Sequence, residues 1–473
     1  MIKWGIIGAG NIARRFAEGL LLDKDSVLYA AGGRSMEKLR KFTESYPAEK
    51  LYTSFDELLA DPQVDAVYIA LPHGMHCEWT CRALEAGKAV LCEKPAAMSE
   101  AEVRKMTETA AANNVLFMEA MKCRFLPAYI QLKKEIGEGL IGEIKEVEAS
   151  FCFEMPKEAY GNTYHTRSPE GGALADTGCY CLSWICDYLK GEYTVEKTYA
   201  NLWQNIETYV QSSLRFENGK GIVEAGFDRK KYGAVLRGEN GEVRLANVQR
   251  PDGYILVKDG IEKTVEIPYE NDFLCEISHF TELLKAGKKE SDLMPFADSL
   301  RIAQVSDAVR RSFTEYDMTD LAVLEKQEEM LRYDTFGRKE AEELGKILIE
   351  TDSDYDRGIV VDIVSEENGE VLFRHIMPDK SEKNLVYTDM KRKAMLKCGH
   401  SSVWSFVASR IPETGYTDVM SGGAFPIRLK DGTHTASVLV SGLHEGKDHE
   451  IIIRAVSRQL GIDDVPVFRK ALI

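Results

Sequence analysis

The chain opens on an apolar run broken by glycines, KWGIIGAG, and the next stretch, NIARRFAEGLL, spaces its apolar residues three and four apart. The first pattern predicts a buried strand and the second an amphipathic helix. The alternation continues. VLYAAGG, VDAVYIALP, AVLCEKP and VLFMEA read as strands, with SMEKLRKFTES, HCEWTCRALEAG and SEAEVRKMTETAAANN as helices between them. Strand–helix repetition over residues 1–122 predicts an α/β domain. Its doubly wound parallel sheet would be covered on both faces and joined by right-handed crossovers.

From about Gly142 the period shortens to two. EIKEVEASFCF, TYANLWQNIETYVQSSLRFENGKGIVEAGF, YGAVLRGENGEVRLANV and GYILVKDGIEKTVEIP are consecutive strands with turn signals such as Glu-Asn-Gly. They predict an open, mostly antiparallel sheet in an α+β domain over 123–318, with helices near 172–189, 272–286 and 297–315. Beyond it, LAVLEKQEEMLRYDTFGRKEAEELGKILIE is charged and helical. GIVVDIV, EVLFRHIMP, FPIRLK and TASVLVSGL are strands, and helices fall near 382–399 and at DHEIIIRAVSRQLG. Residues 319–473 have enough apolar elements for a third domain.

Composition narrows the partners. A formal net charge of −16 argues against nucleic acid and anionic membranes, which select basic surfaces. The opening residues lack the apolar core of a signal peptide, and no apolar run approaches the roughly 20 residues of a membrane span. Ten cysteines include no Cys-x-x-Cys pair, as expected of reduced thiols in a cytoplasmic protein without a metal site.

Gly8, Gly10 and Ala13 form G-x-G-x-x-A between the first strand and the first helix, which Asn11 and Ile12 open. The first glycine allows the tight turn, the second lets backbone approach a pyrophosphate, and the small third residue allows close helix–strand packing. The phosphate would lie at the helix N-terminus. An NAD site usually carries an acid at the end of the second strand. This chain instead has Arg34 and Ser35, with Lys38 one turn on. Those donors suit a 2′-phosphate, so NADP is the expected cofactor and NAD the alternative.

GGALADTGCYCLSW places Asp176 and Tyr180 four apart, hence on one face of a predicted helix. With GIIGAGNIA, ALPHGMH, LCEKPAAMS and EAMKCRFLPAY it resembles the Gfo/Idh/MocA oxidoreductases over residues 1–315. Tyr180, where many members have His, points to the dihydrodiol dehydrogenase and glucose–fructose oxidoreductase branch. The resemblance implies a Rossmann domain followed by an α/β domain whose open sheet commonly forms a dimer interface. It implies that Lys94 binds the reacting oxygen, that Tyr180 exchanges its proton and that Asp176 helps hold substrate or cofactor. Leu71, Pro72, His73, His76, Glu93, Lys94 and Arg124 map to cofactor-lining positions. A phenol has a pKa of about 10, and an adjacent ammonium should lower it. Gly171 and Gly172 would let the chain pass close to ligand. His165 and Arg167, in the loop before, could contact substrate or stand in solvent.

LEKQEEMLRYDTF, KRKAMLKCGHSSVW, GGAFPIRLKDG and VSGLHEGKDHEIIIRAV resemble the uncharacterised protein family 0303, close to the haem-degrading GlcG/HbpS-like superfamily. That implies a three-layer α/β/α fold and a tendency to oligomerise. His400, His434, His444 and His449 are candidates for haem iron by residue type alone, without a recognised spacing. The expected function is hydride transfer between a nicotinamide and a sugar, polyol, dihydrodiol or small carbonyl compound. The alternative is an NADP(H)-sensing or assembly protein whose last domain binds haem or a protein partner.

Overall fold

The computed structural model describes residues 1–167, 171–203, 206–352, 358–417, 422–443 and 445–468. Contacts divide it into two compact units, Met1–Glu196 with Leu202–Val309, and Lys197–Asn201 with Arg310–Ile473.

The first unit begins with six strands: β1 (Ile2–Ile7), β2 (Ser26–Gly32), β3 (Lys50–Tyr52), β4 (Ala66–Ile69), β5 (Ala89–Glu93) and β6 (Phe117–Ala120). They lie in the order β3-β2-β1-β4-β5-β6, every pair parallel. This is the doubly wound arrangement, and its switch point falls between β1 and β4. Ile6, Ile7, Val67, Ile69, Val90 and Leu91 are fully buried, which explains continuous apolar runs in place of alternation. The three-residue edge strand β3 was not legible, being too short to show a period.

Eight further strands follow: β7 (Ile144–Glu154), β8 (Tyr193–Trp203), β9 (Ile206–Phe216), β10 (Gly219–Gly226), β11 (Asp228–Gly238), β12 (Gly241–Leu245), β13 (Gly253–Lys258) and β14 (Ile261–Glu266). Their order is β14-β13-β12-β11-β7-β10-β9-β8. From β14 through to β9 pairing is antiparallel except at the centre, where β7 and β10 run parallel. A parallel pair needs a crossover. The segment between β7 and β8 contains the helix Cys179–Tyr188, which packs on both β7 and β10. The sheet therefore supports the helix that carries Tyr180.

The second unit has an antiparallel sheet of β15 (Val360–Ser365), β16 (Val371–Ile376), β17 (Ala424–Arg428) and β18 (His434–Ser441), ordered β16-β15-β18-β17. Val361 and Ile363 face the helices Arg338–Asp352 and Glu445–Leu460, while Val364 and Leu439 face Met395 of the helix Lys383–Cys398. These are the three layers. The charged stretch that reads as continuous helix is two helices, Met318–Met330 and Arg338–Asp352. Between them Tyr333 leaves helical geometry, its N–H donating to Arg428 O at 2.9 Å.

All ten cysteines are free thiols. Among the described residues no group of His, Cys, Asp and Glu is placed to hold a metal, and no helix is long and apolar enough to cross a membrane.

Candidate active site

At the end of β1 the chain turns at Gly8, with φ +100°, where a Cβ would stand 2.4 Å from Ala70 O. Only glycine fits so close a backbone approach. At Gly10 an added Cβ would meet nothing within 4 Å. Gly10 caps the helix Asn11–Leu20 without a side-chain hydrogen bond, and that helix has no acid in its first turn. Ala13 is fully buried. Gly10, Asn11 and Ile12 line a cavity of about 500 Å³, bounded also by Leu71, Pro72, His73, His76, Glu93 and Lys94. Uncapped N–H groups beside open space fit a pyrophosphate.

At the end of β2, Ser35 Oγ accepts the Lys38 N–H at 3.3 Å and so starts the helix Met36–Thr43. Arg34 and Lys38 are exposed. The Arg34 guanidinium makes no ion pair or hydrogen bond among the described residues.

The ring nitrogens of His76 lie 2.9 Å from Pro95 O and 2.8 Å from Leu71 O, tying those two cavity loops together. Burial pushes its imidazole pKa down. Glu93 accepts the Tyr68 hydroxyl and the Lys94 N–H.

Lys94 Nζ donates to Asp176 O at 2.8 Å and to Asp176 Oδ1 at 2.9 Å. Asp176 Oδ2 lies 2.9 Å from His165 Nδ1. Tyr180 presents its ring 5.3 Å from Lys94 Nζ, and its hydroxyl accepts from Gln249 Nε2 at 3.4 Å. Burial disfavours charge on both members of the ion pair, yet their mutual attraction prevails. The Lys94 ammonium pKa is raised and the Asp176 carboxyl is held well below the usual range, with His165 helping. Residues from the end of β5 and from the glycine-led helix thus converge, although they are 82 positions apart.

Three details differ from the sequence reading. The turn carrying Asp176, Leu174–Gly178, is π-helical rather than α-helical. The Tyr180 phenol pKa is raised well above its ordinary value. Burial is the larger effect, and the Lys94 ammonium only partly offsets it. Gly171 and Gly172, expected to pass close to ligand, are packed closely against protein atoms. A Cβ at Gly171 would stand 2.6 Å from His165 O, and one at Gly172, with φ +130°, 2.3 Å from Glu207 Oε1.

Residues 2–121 match the model of an oxidoreductase family with an NAD-binding Rossmann fold, Gfo/Idh/MocA, and residues 129–244 match the C-terminal domain of the same family. The trans-1,2-dihydrobenzene-1,2-diol dehydrogenase of Xenopus tropicalis is 30% identical over 322 residues, covering 64% of this chain and 96% of the relative. The chain belongs to the Gfo/Idh/MocA oxidoreductase family.

Other relatives include the NADP(+)-dependent scyllo-inositol 2-dehydrogenase of Bacillus subtilis, 30% identical, covering 66% of this chain and 97% of that protein. A 3-ketoreductase from Actinomadura kijaniata, solved with NADP, superposes with a TM-score of 0.57 at 26% identity, covering 65% of this chain and 96% of that one. Residues 336–457 match a different model, the haem degrading protein HbpS-like family.

Two candidates, Arg124 from the Gfo/Idh/MocA pattern and Arg167 from its place in the loop, are placed elsewhere. Arg124 does not line the cavity. It is fully buried, donating to Ser183 Oγ at 2.8 Å, to Leu293 O at 3.3 Å and to Asp298. A guanidinium sealed in the core needs that full set of acceptors. Arg167 clamps its own loop through Gly161 O and Asn162 O, both at 3.3 Å. Conversely, Arg15 and Tyr164 line the cavity and were read only as helix and loop. Arg15 is aimed by Asp272, a buried carboxylate shared with Lys122 and Arg250 from distant segments. No local pattern signals that.

The histidines of the second unit have separate neighbours. His400 Nδ1 is 3.0 Å from Glu328 Oε2, His434 Nε2 is 3.0 Å from Ala436 O, and buried His449 Nε2 is 2.8 Å from Gln327 Oε1. Burial lowers the His449 pKa to about 3. His444 lies outside the described residues.

Proposed function

We propose that the protein is an NADP-dependent dehydrogenase acting on a CH–OH group of a sugar, polyol or dihydrodiol, with Lys94 and Tyr180 at the reacting oxygen. The observation that carries this reading is the state of Lys94 Nζ. Two of its three N–H groups are held by Asp176, and the third makes no hydrogen bond among the described residues, on the wall of the cavity that begins at the glycine turn. An ammonium so fixed stabilises negative charge on an oxygen placed against it. NADP, when bound, supplies or accepts the hydride. Gly8, Gly10, Asn11 and Ile12 would hold its pyrophosphate, and Arg34, Ser35 and Lys38 its 2′-phosphate. The NADP-dependent relatives and the NADP-bound neighbour support that choice.

In this reading Tyr180 donates the proton that completes the alcohol in reduction and takes it back in oxidation. Its raised pKa keeps the phenol protonated near neutrality, the state required of a donor. Asp176 and His165 are positioning residues. The carboxylate fixes the ammonium, and the imidazole fixes the carboxylate. His73, Leu71 and Pro72 would wall the cofactor.

The test is turnover of NADP+ with a panel of pentoses, hexoses, inositols and cyclic diols, together with thermal stabilisation by each. A true substrate at free concentration c stabilises the folded state by RT ln(1 + c/Kd), which rises with concentration over Kd. Stabilisation by NADP+ with no hydride transfer to any panel member would instead favour a cofactor-sensing protein.

A second reading concerns residues 319–473, whose match to the HbpS-like model favours a haem-handling role. A Soret band on adding hemin, lost in His400→Ala, tests it. We also propose the three-domain division at 122 and 318, a homo-oligomeric state and a cytoplasmic location.

A further inference from the structure

The second unit has a polar cavity of about 570 Å³ lined by residues that the oxidoreductase reading does not use. We propose that it binds a small oxyanion, a phosphate or carboxylate group, between Arg332, Arg428 and Nε2 of His400.

The backbone brings the two arginines together. Tyr333 and Leu429 form a parallel bridge, with Tyr333 N–H donating to Arg428 O and Lys430 N–H to Tyr333 O, each at 2.9 Å. Residues 332 and 428 thereby stand side by side. Arg428 is tethered by the carbonyls of Gly399 and Gly432, at 2.6 and 3.3 Å, and by no carboxylate among the described residues. Arg332 makes no ion pair or hydrogen bond among them, and its Nε is buried without a partner. A buried donor left unmade is costly, as are adjacent like charges. That no carboxylate among the described residues makes an ion pair with either guanidinium, in a chain of net charge −16, points to an acceptor from outside.

His400 completes the donor set. Buried Glu328 fixes its Nδ1 while accepting Ser401 N–H at 2.7 Å. Trp404 stacks on the ring with centroids 4.5 Å apart at 20°. Nε2 has no hydrogen bond among the described residues. The Glu328 bond raises the imidazole pKa against burial, favouring a protonated Nε2. The remaining acids are engaged, Glu329 with Lys326 at 2.7 Å and Glu325 with the Trp404 indole at 2.9 Å. Pairing Lys326 with Glu329 and His400 with Glu328 leaves two arginines against Glu325. Guanidinium forks and a charged imidazole are the donors that oxyanions select.

The experiment is calorimetric titration of the full chain, saturated with NADP+, with inorganic phosphate and separately with acetate. Saturable binding of either is expected, and the stronger of the two identifies the group recognised. Arg332→Gln and Arg428→Gln should each weaken it at least about tenfold, while Lys24→Ala, an exposed residue that lines neither cavity, leaves it unchanged. Because a cavity variant could fail to fold, the His400 imidazole resonance of the unaltered protein, assigned with His400→Gln, gives a second readout and should move on titration. No saturable binding, equal binding in the cavity variants, loss in Lys24→Ala, or a stationary His400 resonance overturns the proposal.

Discussion

Lys94 and Asp176 are joined twice, through the carboxylate and through the backbone carbonyl of the same residue. The double attachment fixes the ammonium in direction as well as position. It also explains why the π-helical turn matters, since that turn presents the Asp176 carbonyl to Lys94 Nζ.

Removing the ammonium or the phenol should abolish chemistry without disturbing cofactor binding. Lys94→Met and Tyr180→Phe are expected to lower kcat by about 10²- to 10⁴-fold. NADPH affinity, read by fluorescence titration, should change little. Near-normal turnover in both would refute the proposed roles.

Arg34→Ala tests the cofactor assignment. In the proposed reading the exposed guanidinium meets a 2′-phosphate, so its loss should raise KM for NADPH about tenfold or more and leave KM for NADH nearly constant. Parallel changes with the two cofactors would argue that Arg34 is only a surface charge.

The pH dependence follows from the direction of the Tyr180 shift. Oxidation requires the phenol to lose its proton, and burial raises the pKa above its ordinary value. The oxidation rate should therefore climb with pH through the alkaline range, without a plateau near neutrality. Reduction needs the protonated phenol and should stay level over the same range. A bell centred below pH 7 for oxidation would contradict this, as 25 °C stopped-flow rates can show.

His165→Ala should release one oxygen of Asp176 and loosen the ammonium without touching substrate. The expected signature is a fall in kcat of about tenfold, with partial rescue in His165→Gln, whose amide can still donate. A change in KM alone would assign His165 to substrate contact instead.

Gly172→Ala places a methyl group 2.3 Å from Glu207 Oε1 at a φ of +130°. It should destabilise the protein by about 1–3 kcal/mol, measured by urea unfolding. Wild-type stability would mean that the loop relaxes freely.

The glycine turn was legible in the sequence because it rests on short-range chemistry, and the two families and the candidates Lys94, Asp176 and Tyr180 came from whole motifs that resemble known ones. Gly8 is required by one turn, and hydrophobic period distinguishes a buried parallel strand from an exposed antiparallel one. Arg124 and Arg167 show where that reasoning stops. The residue type suited a cofactor contact for Arg124 and a substrate contact for Arg167, yet the first side chain is enclosed by Ser183, Leu293 and Asp298, and the second folds back on Gly161 and Asn162. Their partners for Arg124 come from more than 50 positions away, so no window on the chain contains them.

By itself, then, the order of residues determined the elements, the sheet types and the residues available for chemistry, since propensity, period and turn geometry act locally. Tertiary structure alone decided which donors meet which acceptors and how much water each keeps. Tyr180 shows the physical reason. The nearby ammonium could be anticipated, but the degree of burial could not, and burial is the larger of the two effects on its proton.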